Sequence, residues 1–370
     1  MKPRIRRLAY LCMQATREGQ ASYAHVNEII GGLRRRGVEV DLFEPRRREG
    51  PQGLGAKAWG FLTVQLRLLV RLPDYDAVYI RGHFAAGLII WAARLLRIPQ
   101  VIEVNGPHED MYTMYPWTRR IGALLRALTR HQHRIAQAIV TVTPQMAQWV
   151  KDDCGATHVH VVPNGANLDH FRPGVRDPRA PAGPYAVFFG AFSPWQGIAT
   201  MLAAVRHPDW PRDMKLLLAG DGTERPAVEA AAAADPRIVY VGVIPYRELG
   251  GFVAPAAAGL CVKDDGGTHA ATGWSPLKLY EMMATGIPVV VTDLPGQFEV
   301  VEAARAGLVL PPGDPGALAR AVAQLAADPG EAQAMGRRGH ELVAREHSWD
   351  RRGQDTLDVL EGIAKGAPAA

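Results

Sequence analysis

The chain has 370 residues, of which 48% are hydrophobic and 21% charged, and its formal net charge is +5. This length accommodates two domains of ordinary size, and the composition is typical of a globular protein with a large core. The three cysteines, Cys12, Cys154 and Cys261, are widely spaced and odd in number, so we expect free thiols of a reducing cytoplasm, not metal ligands. No stretch approaches the roughly 18 apolar residues of a membrane span, so an integral membrane protein is not expected.

Positive charge is concentrated in the first half of the chain. Up to Arg176 there are 25 lysines and arginines against 14 aspartates and glutamates, a net charge of +11, and the remainder has 17 against 23, a net charge of −6. This asymmetry indicates that the N-terminal half meets an anionic partner. Three partners fit the charge: a membrane surface, a phosphorylated acceptor or nucleic acid.

Strand-like and helix-like segments alternate along the whole chain. The first strand, RRLAYLCM, follows a basic start that imitates a signal peptide but has too short an apolar run. The first series continues with VEVDLFEP, AVYI, QVIEV and AIVTV, and a second series consists of YAVFFGAF, KLLLAG, IVYVG, AGLCV and PVVVT. Short apolar strands separated by helices predict an α/β protein with two doubly wound parallel sheets.

The Pro-, Gly- and Arg-rich stretch FRPGVRDPRAPAGP separates the two series and has the composition of an exposed linker. We therefore predict a Rossmann-like domain over residues 1–175 and a second one over residues 184–346. A final helical segment, residues 347–370, follows them. Because parallel sheets bind ligands at the carboxyl ends of their strands, the expected site lies in a central cleft that both domains face.

The segment SPLKLYEMMATGIPVVVT, residues 275–292, predicts a short helix followed by a buried strand. Ser275 suits the N-cap and Pro276 the first helical position. Lys278 then falls in the first turn, where the helix dipole disfavours a cation, so a bound anion is expected there. The preceding loop, KDDGGTHAATGW, has three glycines that let a diphosphate approach the backbone. Glu281 lies nearly one turn further on and suits a ribose diol. The alternative is a solvated Lys278 that pairs with Glu281 along the helix.

This segment and four others resemble family-4 retaining glycosyltransferases, which have the GT-B fold. The others are VVPNGANLDHF, LLLAGDGTERPAVEA, VGVIPYRELGGFVAPAAAGL and EHSWDRRGQDTLDVLEGI, and the resemblance extends from about residue 5 to residue 360. It implies a nucleotide-diphosphate sugar held by the C-terminal domain and a saccharide or lipid-linked acceptor held by the N-terminal domain. It also implies retention of configuration, no cofactor, no metal, and a closing helix that crosses back to the first domain.

The resemblance assigns donor-binding roles residue by residue. Glu281 matches the glutamate that holds the donor ribose, and Gly19 matches a glycine loop that closes over the reaction centre. The remaining donor-binding positions are Gly190, Gln196, Gly220, Gly273, Trp274, Ser275, Pro276, Leu277 and Lys278.

Three departures from the family pattern concern these positions. Gly273 stands where a glutamate is common, and Asp264 or Asp265 is the candidate substitute for it. Ala191 and Gln196 stand where an arginine and a lysine often touch the diphosphate, which leaves more of that charge to Lys278. Asn105 stands where a histidine is usual, with His108 three residues on. The predicted catalytic residues are therefore Asn105, His108 and Lys278.

The segment MYTMYPWTRRIGALLRALTRHQHRIA predicts a helix with one apolar face, formed by Ile121, Leu124, Leu125, Leu128 and Ile135, and a basic face of arginines. The aromatic residues just before it are Tyr112, Tyr115 and Trp117. Aromatic residues beside arginines suit an anionic membrane surface, whereas the alternative is an ordinary solvated face. Nucleic acid is not expected, because no recognition motif accompanies the charge.

These observations favour a cytoplasmic glycosyltransferase of polysaccharide or glycoconjugate assembly, and a peripheral location on the inner face of the membrane is an open alternative. Two rival functions stay open at this point. One is a non-catalytic GT-B subunit that binds nucleotide-sugar, and the other is a nucleotide-sugar epimerase of similar fold.

Overall fold

The computed structural model describes residues 5–46, 53–114, 116–264, 269 and 271–364. These residues form two compact units. The first unit contains the chain up to Thr16, Val26–Pro163 and the residues from Asp350 onwards, and the second contains Arg17–His25 and Asn164–Trp349.

The first unit has a six-stranded parallel sheet. Its strands are β1 (Arg7–Cys12), β2 (Glu39–Phe43), β3 (Ala77–Arg81), β4 (Gln100–Val104), β5 (Ala138–Thr141) and β6 (Val159–Val161), in the spatial order β2-β1-β3-β4-β5-β6. The order reverses between β1 and β3, so the carboxyl ends of these two strands mark the expected ligand crevice of this sheet.

Six helices belong mainly to the first unit: α1 (Ala21–Arg35), α2 (Leu54–Arg71), α3 (Gly87–Leu95), α4 (Asp110–Met114), α5 (Gly122–Ile135) and α6 (Pro144–Cys154). The central strands β3, β4 and β5 are almost entirely buried because helices cover both faces of a parallel sheet. Helix α6 shows how local sequence sets an element: the Thr143 hydroxyl accepts from the Met146 N–H, Pro144 occupies the first turn, and Gly155 ends the helix in the left-handed region.

The second unit has a second six-stranded parallel sheet. Its strands are β7 (Tyr185–Ala191), β8 (Lys215–Asp221), β9 (Ile238–Tyr240), β10 (Ala258–Cys261), β11 (Val289–Thr292) and β12 (Gly307–Leu310), in the spatial order β12-β11-β10-β7-β8-β9. Here the order reverses between β7 and β10. Phe188 packs into the apolar core on one face of this sheet, whereas Val187 and Phe189 pack into the core on the other. The predicted two doubly wound sheets are confirmed.

Helices cover both faces of the second sheet. They are α7 (Ile198–Val205), α8 (Arg225–Ala234), α9 (Tyr246–Val253), α10 (Leu277–Ala284), α11 (Phe298–Ala304), α12 (Pro315–Ala327) and α13 (Pro329–Glu346). A last helix, α14 (Trp349–Ala364), belongs to the first unit from Asp350 onwards. There the Asp350 carboxylate accepts from Arg36 over 2.9 Å, and Gly353 packs against the backbone of Gly32.

The structure divides the chain at different residues from those that we predicted. Residues 176–183, which have the composition of an exposed linker, pack on α9: the Asp177 N–H donates to the Gly251 carbonyl over 2.9 Å, and Arg179 pairs with Glu248. The whole stretch from Asn164 to Trp349 belongs to the second unit. Composition alone does not reveal such bonds.

The prediction that five apolar residues of the α5 region form an inward face was wrong for three of them. Leu125 is buried and Ile135 half-buried, but Ile121, Leu124 and Leu128 are exposed, Leu124 to 58%. The buried face of α5 includes Gln132 and His133 instead, because Gln132 Nε2 donates to the Phe84 carbonyl. No helix within the described ranges is long and apolar enough to cross a bilayer.

Candidate active site

Helix α10 begins at Leu277, with Pro276 as the preceding cap residue and no side-chain hydrogen bond to the first turn. The prediction that Ser275 caps this helix was therefore wrong. Its hydroxyl oxygen instead accepts from the Asn164 N–H and lies 3.3 Å from the Tyr280 hydroxyl. Asn164 Nδ2 also donates to the Ser275 carbonyl over 2.5 Å, so Asn164 fixes the loop that enters α10.

The Lys278 ammonium lies at the reversal of the second sheet. Its Nζ donates to Gln196 Oε1 over 3.0 Å and lies 3.7 Å from the centroid of the Phe188 ring. It forms no ion pair with a described acidic side chain, so the pairing of Lys278 with Glu281 along the helix is not observed, and the Lys278 side chain is half-buried. Burial lowers the pKa of Lys278 to about 7.

A second ammonium, which we did not predict, lies beside this one. Lys263 follows β10, is 1% exposed, and holds its Nζ 4.0 Å from the centroid of the Trp274 ring. Burial lowers its pKa, which the nearby Cys261 thiol partly opposes. The positive charge of Lys263 also contributes, after burial, to the lowered pKa of Lys278. The sequence contained a signal for this lysine, because Lys263 follows by two residues the buried strand β10, which adjoins the reversal point of the sheet order.

Glycines bring the backbone close to the Lys278 ammonium. A Cβ on Gly190, at the end of β7, would lie 3.2 Å from Lys278 Nζ, and a Cβ on Gly220, opposite it on β8, would overlap the Gly190 carbonyl. Both glycines have positive φ angles, +127° and +149°. Any other residue would be strained there and would fill the space beside the ammonium.

The Gly19 turn also belongs to the second unit. Gly19 has a φ of +87°, and a Cβ on it would meet Val243 Cγ1 at 3.2 Å. The neighbouring Gly242 carbonyl accepts from the Gly220 N–H over 2.7 Å. The Gly19 turn therefore lies next to the carboxyl ends of β8 and β9, and its role in donor binding stays a prediction.

The remaining predicted donor residues surround the start of α10. Gly273 has a φ of +73°, the Trp274 ring stacks on His269 at 4.2 Å between centroids, and Pro276 and Leu277 are half-buried. Glu281 is buried in α10. Asp264, a candidate substitute for the missing glutamate, accepts from the Thr200 hydroxyl of α7 over 2.5 Å. Asp265 and the central glycines of the loop lie outside the described residues.

In the first unit, Asn105 belongs to a buried polar network centred on Glu103. The Glu103 carboxylate is 1% exposed and accepts from the Tyr79 hydroxyl over 2.8 Å and from Arg81 Nη1 over 2.9 Å. It also accepts from Tyr10 and from Asn105 Nδ2. Because an ionised carboxylate only accepts, the amide nitrogen of Asn105 must face Glu103. The Asn105 Oδ1 is then left as an acceptor, and it bonds to no other described residue.

The structure does not bring His108 into contact with Asn105. The His108 ring packs on Trp149 of α6, at 5.2 Å between centroids, and its Nε2 lies 3.0 Å from Glu109. Burial lowers the pKa of His108, although Glu109 opposes this shift. These contacts are those of a histidine that packs against helices, and its assignment as catalytic stays a prediction. Within the described ranges, no group of three or more His, Cys, Asp or Glu side chains is arranged to hold a metal ion.

Comparisons with known proteins identify the family. Residues 24–170 match the family described as Glycosyltransferase Family 4, and residues 183–328 match the family described as Glycosyl transferases group 1. This chain is a family-4-type glycosyltransferase. The glycosyltransferase is 29% identical over 333 residues to the 2-deoxystreptamine glucosyltransferase of Streptomyces kanamyceticus, and the match covers 82% of each protein.

Two solved structures share the fold of this glycosyltransferase. Sucrose-phosphate synthase from Thermosynechococcus elongatus has a TM-score of 0.78 at 19% identity, over 98% of this chain and all of that one. Anabaena HepE in complex with UDP-glucose has a TM-score of 0.71 at 15% identity, over 96% and 99% of the two chains. At such identities the likeness establishes the GT-B fold and nothing further.

Proposed function

We propose that this glycosyltransferase transfers a sugar, with retention of configuration, from a nucleotide-diphosphate donor to a saccharide or lipid-linked acceptor. The observation that carries the proposal is the Lys278 ammonium, which is partly buried, has no described acidic partner and lies beside Gly190 at the sheet reversal, where a second glycine, Gly220, packs on the Gly190 carbonyl. A diphosphate supplies the missing negative charge, and the glycines leave room for it against the backbone.

The chemistry assigned to this site is stabilisation of the leaving group. When the bond between the sugar and the phosphate breaks, negative charge accumulates on the departing diphosphate. An ammonium held in a partly dehydrated site stabilises that charge without reorganisation. The departing phosphate oxygen takes the proton of the acceptor hydroxyl, and the new glycosidic bond forms on the same face of the sugar. No protein base is needed for this route.

We further propose that transfer is independent of divalent metal ions, because Lys278 and the first-turn amides of α10 supply the positive potential that the leaving group requires. Asn105 Oδ1 is assigned as an acceptor for a sugar hydroxyl, and Glu281 as the ligand of the donor ribose. The donor base, the sugar and the linkage are left open.

A thermal-shift panel of UDP, GDP, ADP and their sugars tests this function most directly. One nucleotide series is expected to raise the melting temperature, since a ligand at 100 times its Kd stabilises by about 2.7 kcal/mol. The donor that is identified is then incubated with acceptor candidates in EDTA, and the anomeric configuration of the product is determined by NMR. An inverted product, or turnover that requires an added metal, contradicts the corresponding part of the proposal.

Product analysis of incubations with and without an acceptor addresses the rival functions. A non-catalytic subunit would bind the donor without hydrolysis or transfer, and an epimerase would change the sugar without any acceptor. In the active glycosyltransferase, Lys278→Ala is expected to reduce turnover by at least about tenfold, the loss of one charge-assisted contact in the transition state. An unchanged rate in this variant removes Lys278 from the mechanism.

We also propose that the first unit binds an anionic membrane surface. Its α2/α3/α5 surface, in which α3 contacts both α2 and α5, exposes a set of large apolar side chains: Trp59, Leu62, Leu66, Val70, Leu88, Trp91, Leu95, Trp117, Ile121, Leu124 and Leu128. Exposed arginines lie among them: Arg67, Arg71, Arg94, Arg97, Arg119 and Arg120. Apolar side chains for the acyl boundary and arginines for anionic head groups support membrane association at this surface. Tyr115 lies outside the described residues.

Vesicle flotation tests this proposal. The protein is expected to float with vesicles that contain phosphatidylglycerol and not with pure phosphatidylcholine vesicles. Leu124→Glu is expected to weaken flotation. The matched control is Val161→Glu, an exposed apolar position of the same unit on β6. Equal flotation of both variants, or no flotation at low salt, contradicts the proposal.

A further inference from the structure

The second unit holds two buried or half-buried lysine ammonium groups near the start of α10, and among the residues that the structure describes only one of them has a hydrogen-bonding partner. Lys278 donates to Gln196, whereas Lys263 makes no hydrogen bond or ion pair with a described residue and has only the Trp274 ring against its Nζ. Lys263 is nevertheless 1% exposed. A buried ammonium without a carboxylate is costly to the folded protein, so its presence calls for an explanation.

Stability does not provide that explanation. A cation–π contact with Trp274 offsets only part of the dehydration of an ammonium group. The nearest acidic side chain along the chain, Asp264, bonds to Thr200. An apolar side chain of similar length would occupy the same place at lower cost. The arrangement instead fits a cation whose function is to bind a ligand.

The position of Lys263 identifies the chemistry of that ligand. Lys263 follows β10 by two residues, β10 pairs with β7, and the sheet order reverses between these two strands. Lys278, Gly190 and the start of α10 lie at the same reversal point. The Trp274 ring that contacts Lys263 stands three residues before α10, and its Nε1 has no hydrogen-bond partner among the described residues. Two ammoniums, a helix start and an unpaired indole N–H are all groups that attract or donate to an anion.

We propose that Lys263 is a second cationic contact for the diphosphate of the donor, so that Lys263 and Lys278 together hold the two phosphoryl groups. This inference rests on the proposed function of the site and adds a residue to it. Because Lys263 extends from β10 and Lys278 from α10, the two cations approach the anion from different elements. The resulting site discriminates a diphosphate from a neutral nucleoside.

The test compares Lys263→Met with Lys215→Met by calorimetry. Lys215 lies at the amino end of β8 in the same unit, and its Nζ donates to the Ala182 carbonyl, so the control removes the same charge away from the site. The probes are the nucleoside diphosphate selected by the thermal-shift panel and its parent nucleoside. Lys263→Met is expected to raise the Kd for the diphosphate roughly tenfold or more, as for a lost hydrogen bond to a charged group. The Kd for the nucleoside is expected to change little, and Lys215→Met is expected to bind both as the unmodified protein does.

The melting temperature without ligand separates this role from a structural one. If Lys263 serves the ligand, Lys263→Met melts at the same temperature as the unmodified protein or higher, because a buried charge has been replaced by an apolar side chain. A lower melting temperature with unchanged selectivity for the diphosphate, or a variant that does not fold, overturns the inference. If the unmodified protein binds no nucleoside diphosphate, the proposed function itself fails; if only the variant comparison is negative, the function stands and Lys263 has no part in it.

Discussion

At the scale of single residues, the two units show two ways of holding a charge at the end of a strand. Glu103 is fully partnered by Tyr10, Tyr79, Arg81 and Asn105. Lys278 has an amide oxygen and an aromatic ring, but no described acidic side chain within ion-pair distance. The first arrangement fixes side-chain orientation, and the second leaves positive charge available to a ligand.

The pKa of Lys278, lowered by burial to about 7, predicts how donor binding depends on pH. A bound diphosphate favours the ammonium form and therefore raises this pKa, so binding takes up a proton above pH 7. Affinity for the nucleoside diphosphate is expected to be highest near pH 7 and to fall as the pH rises towards 8.5. Calorimetry in buffers of different ionisation enthalpy measures the proton uptake directly. Lys278→Arg, which stays charged, is expected to flatten the profile; a flat profile in the unmodified protein contradicts the prediction.

The lowered pKa of Lys278 also affects the stability of the ligand-free protein. The direction of the effect follows from the number of protons that the folded and unfolded chains bind. The folded-state pKa lies below the ordinary lysine value of 10.5, so the unfolded chain binds more protons between about pH 7 and 10.5. The contribution of Lys278 to stability therefore rises with pH across that window and is lost as the pH falls through 7.

Asn105→Asp tests the orientation that Glu103 imposes on Asn105. The substitution places a second carboxylate against a buried one and removes the amide donor, so the two side chains repel each other. We expect turnover to fall at least about tenfold, because the oxygen that replaces Asn105 Oδ1 as the hydrogen-bond acceptor is displaced. The Kd of the donor substrate is expected to change little. Asn27→Asp, at an exposed position of α1, is the matched control. If the affinity for the donor substrate falls and turnover is unchanged, Asn105 contacts the donor substrate and not the acceptor substrate.

At the scale of elements, the end of β7 decides how closely a ligand can approach. Gly190→Ala places a methyl group 3.2 Å from the Lys278 ammonium and strains a backbone with φ of +127°. We expect a loss of about 1–3 kcal/mol in the free energy of unfolding and a marked loss of donor affinity, read from chemical denaturation and calorimetry.

Gly183→Ala is the control that separates these two effects. Gly183 also has a positive φ, +80°, but nothing lies within 4 Å of an added Cβ. It is expected to share the backbone strain and to keep full donor affinity. Equal donor affinities of Gly183→Ala and Gly190→Ala would show that the space beside Lys278 is not used.

At the scale of the whole molecule, the distribution of charge predicts how membrane binding responds to salt. The net charge is +11 up to Arg176 and −6 beyond it, from 25 against 14 and 17 against 23 charged residues. Attraction to anionic vesicles is screened over about 8 Å at physiological ionic strength, whereas apolar insertion is not screened. Flotation is therefore expected to weaken between 50 mM and 500 mM NaCl without vanishing, measured by vesicle sedimentation. Salt-independent flotation would leave the arginines without a role.

How much the sequence predicted depends on whether a feature is local. The strand and helix alternation, the two parallel sheets and the short helix that contains Lys278 follow from local composition and spacing, and the fold confirms the sheets. The donor-binding roles of Gly190 and Gly220 came from the family resemblance alone. The apolar face of α5 was predicted wrongly because periodicity defines a stripe but not the neighbour that covers it. There, the Gln132 bond to the Phe84 carbonyl turns another side of the helix inward.

The sequence by itself determined the fold class, the family resemblance and the first-turn position of Lys278, because backbone preferences and hydrophobic period act between near neighbours. Only the tertiary structure decided that Lys263 is buried against the Trp274 ring, that Glu103 orients Asn105 and that His108 packs on Trp149. These facts depend on which strand ends and helices adjoin, and such pairings join residues far apart in the chain. The burial of a side chain and its hydrogen-bonding partner together set the charge and the orientation of that side chain. Its position in the sequence determines neither the burial nor the partner.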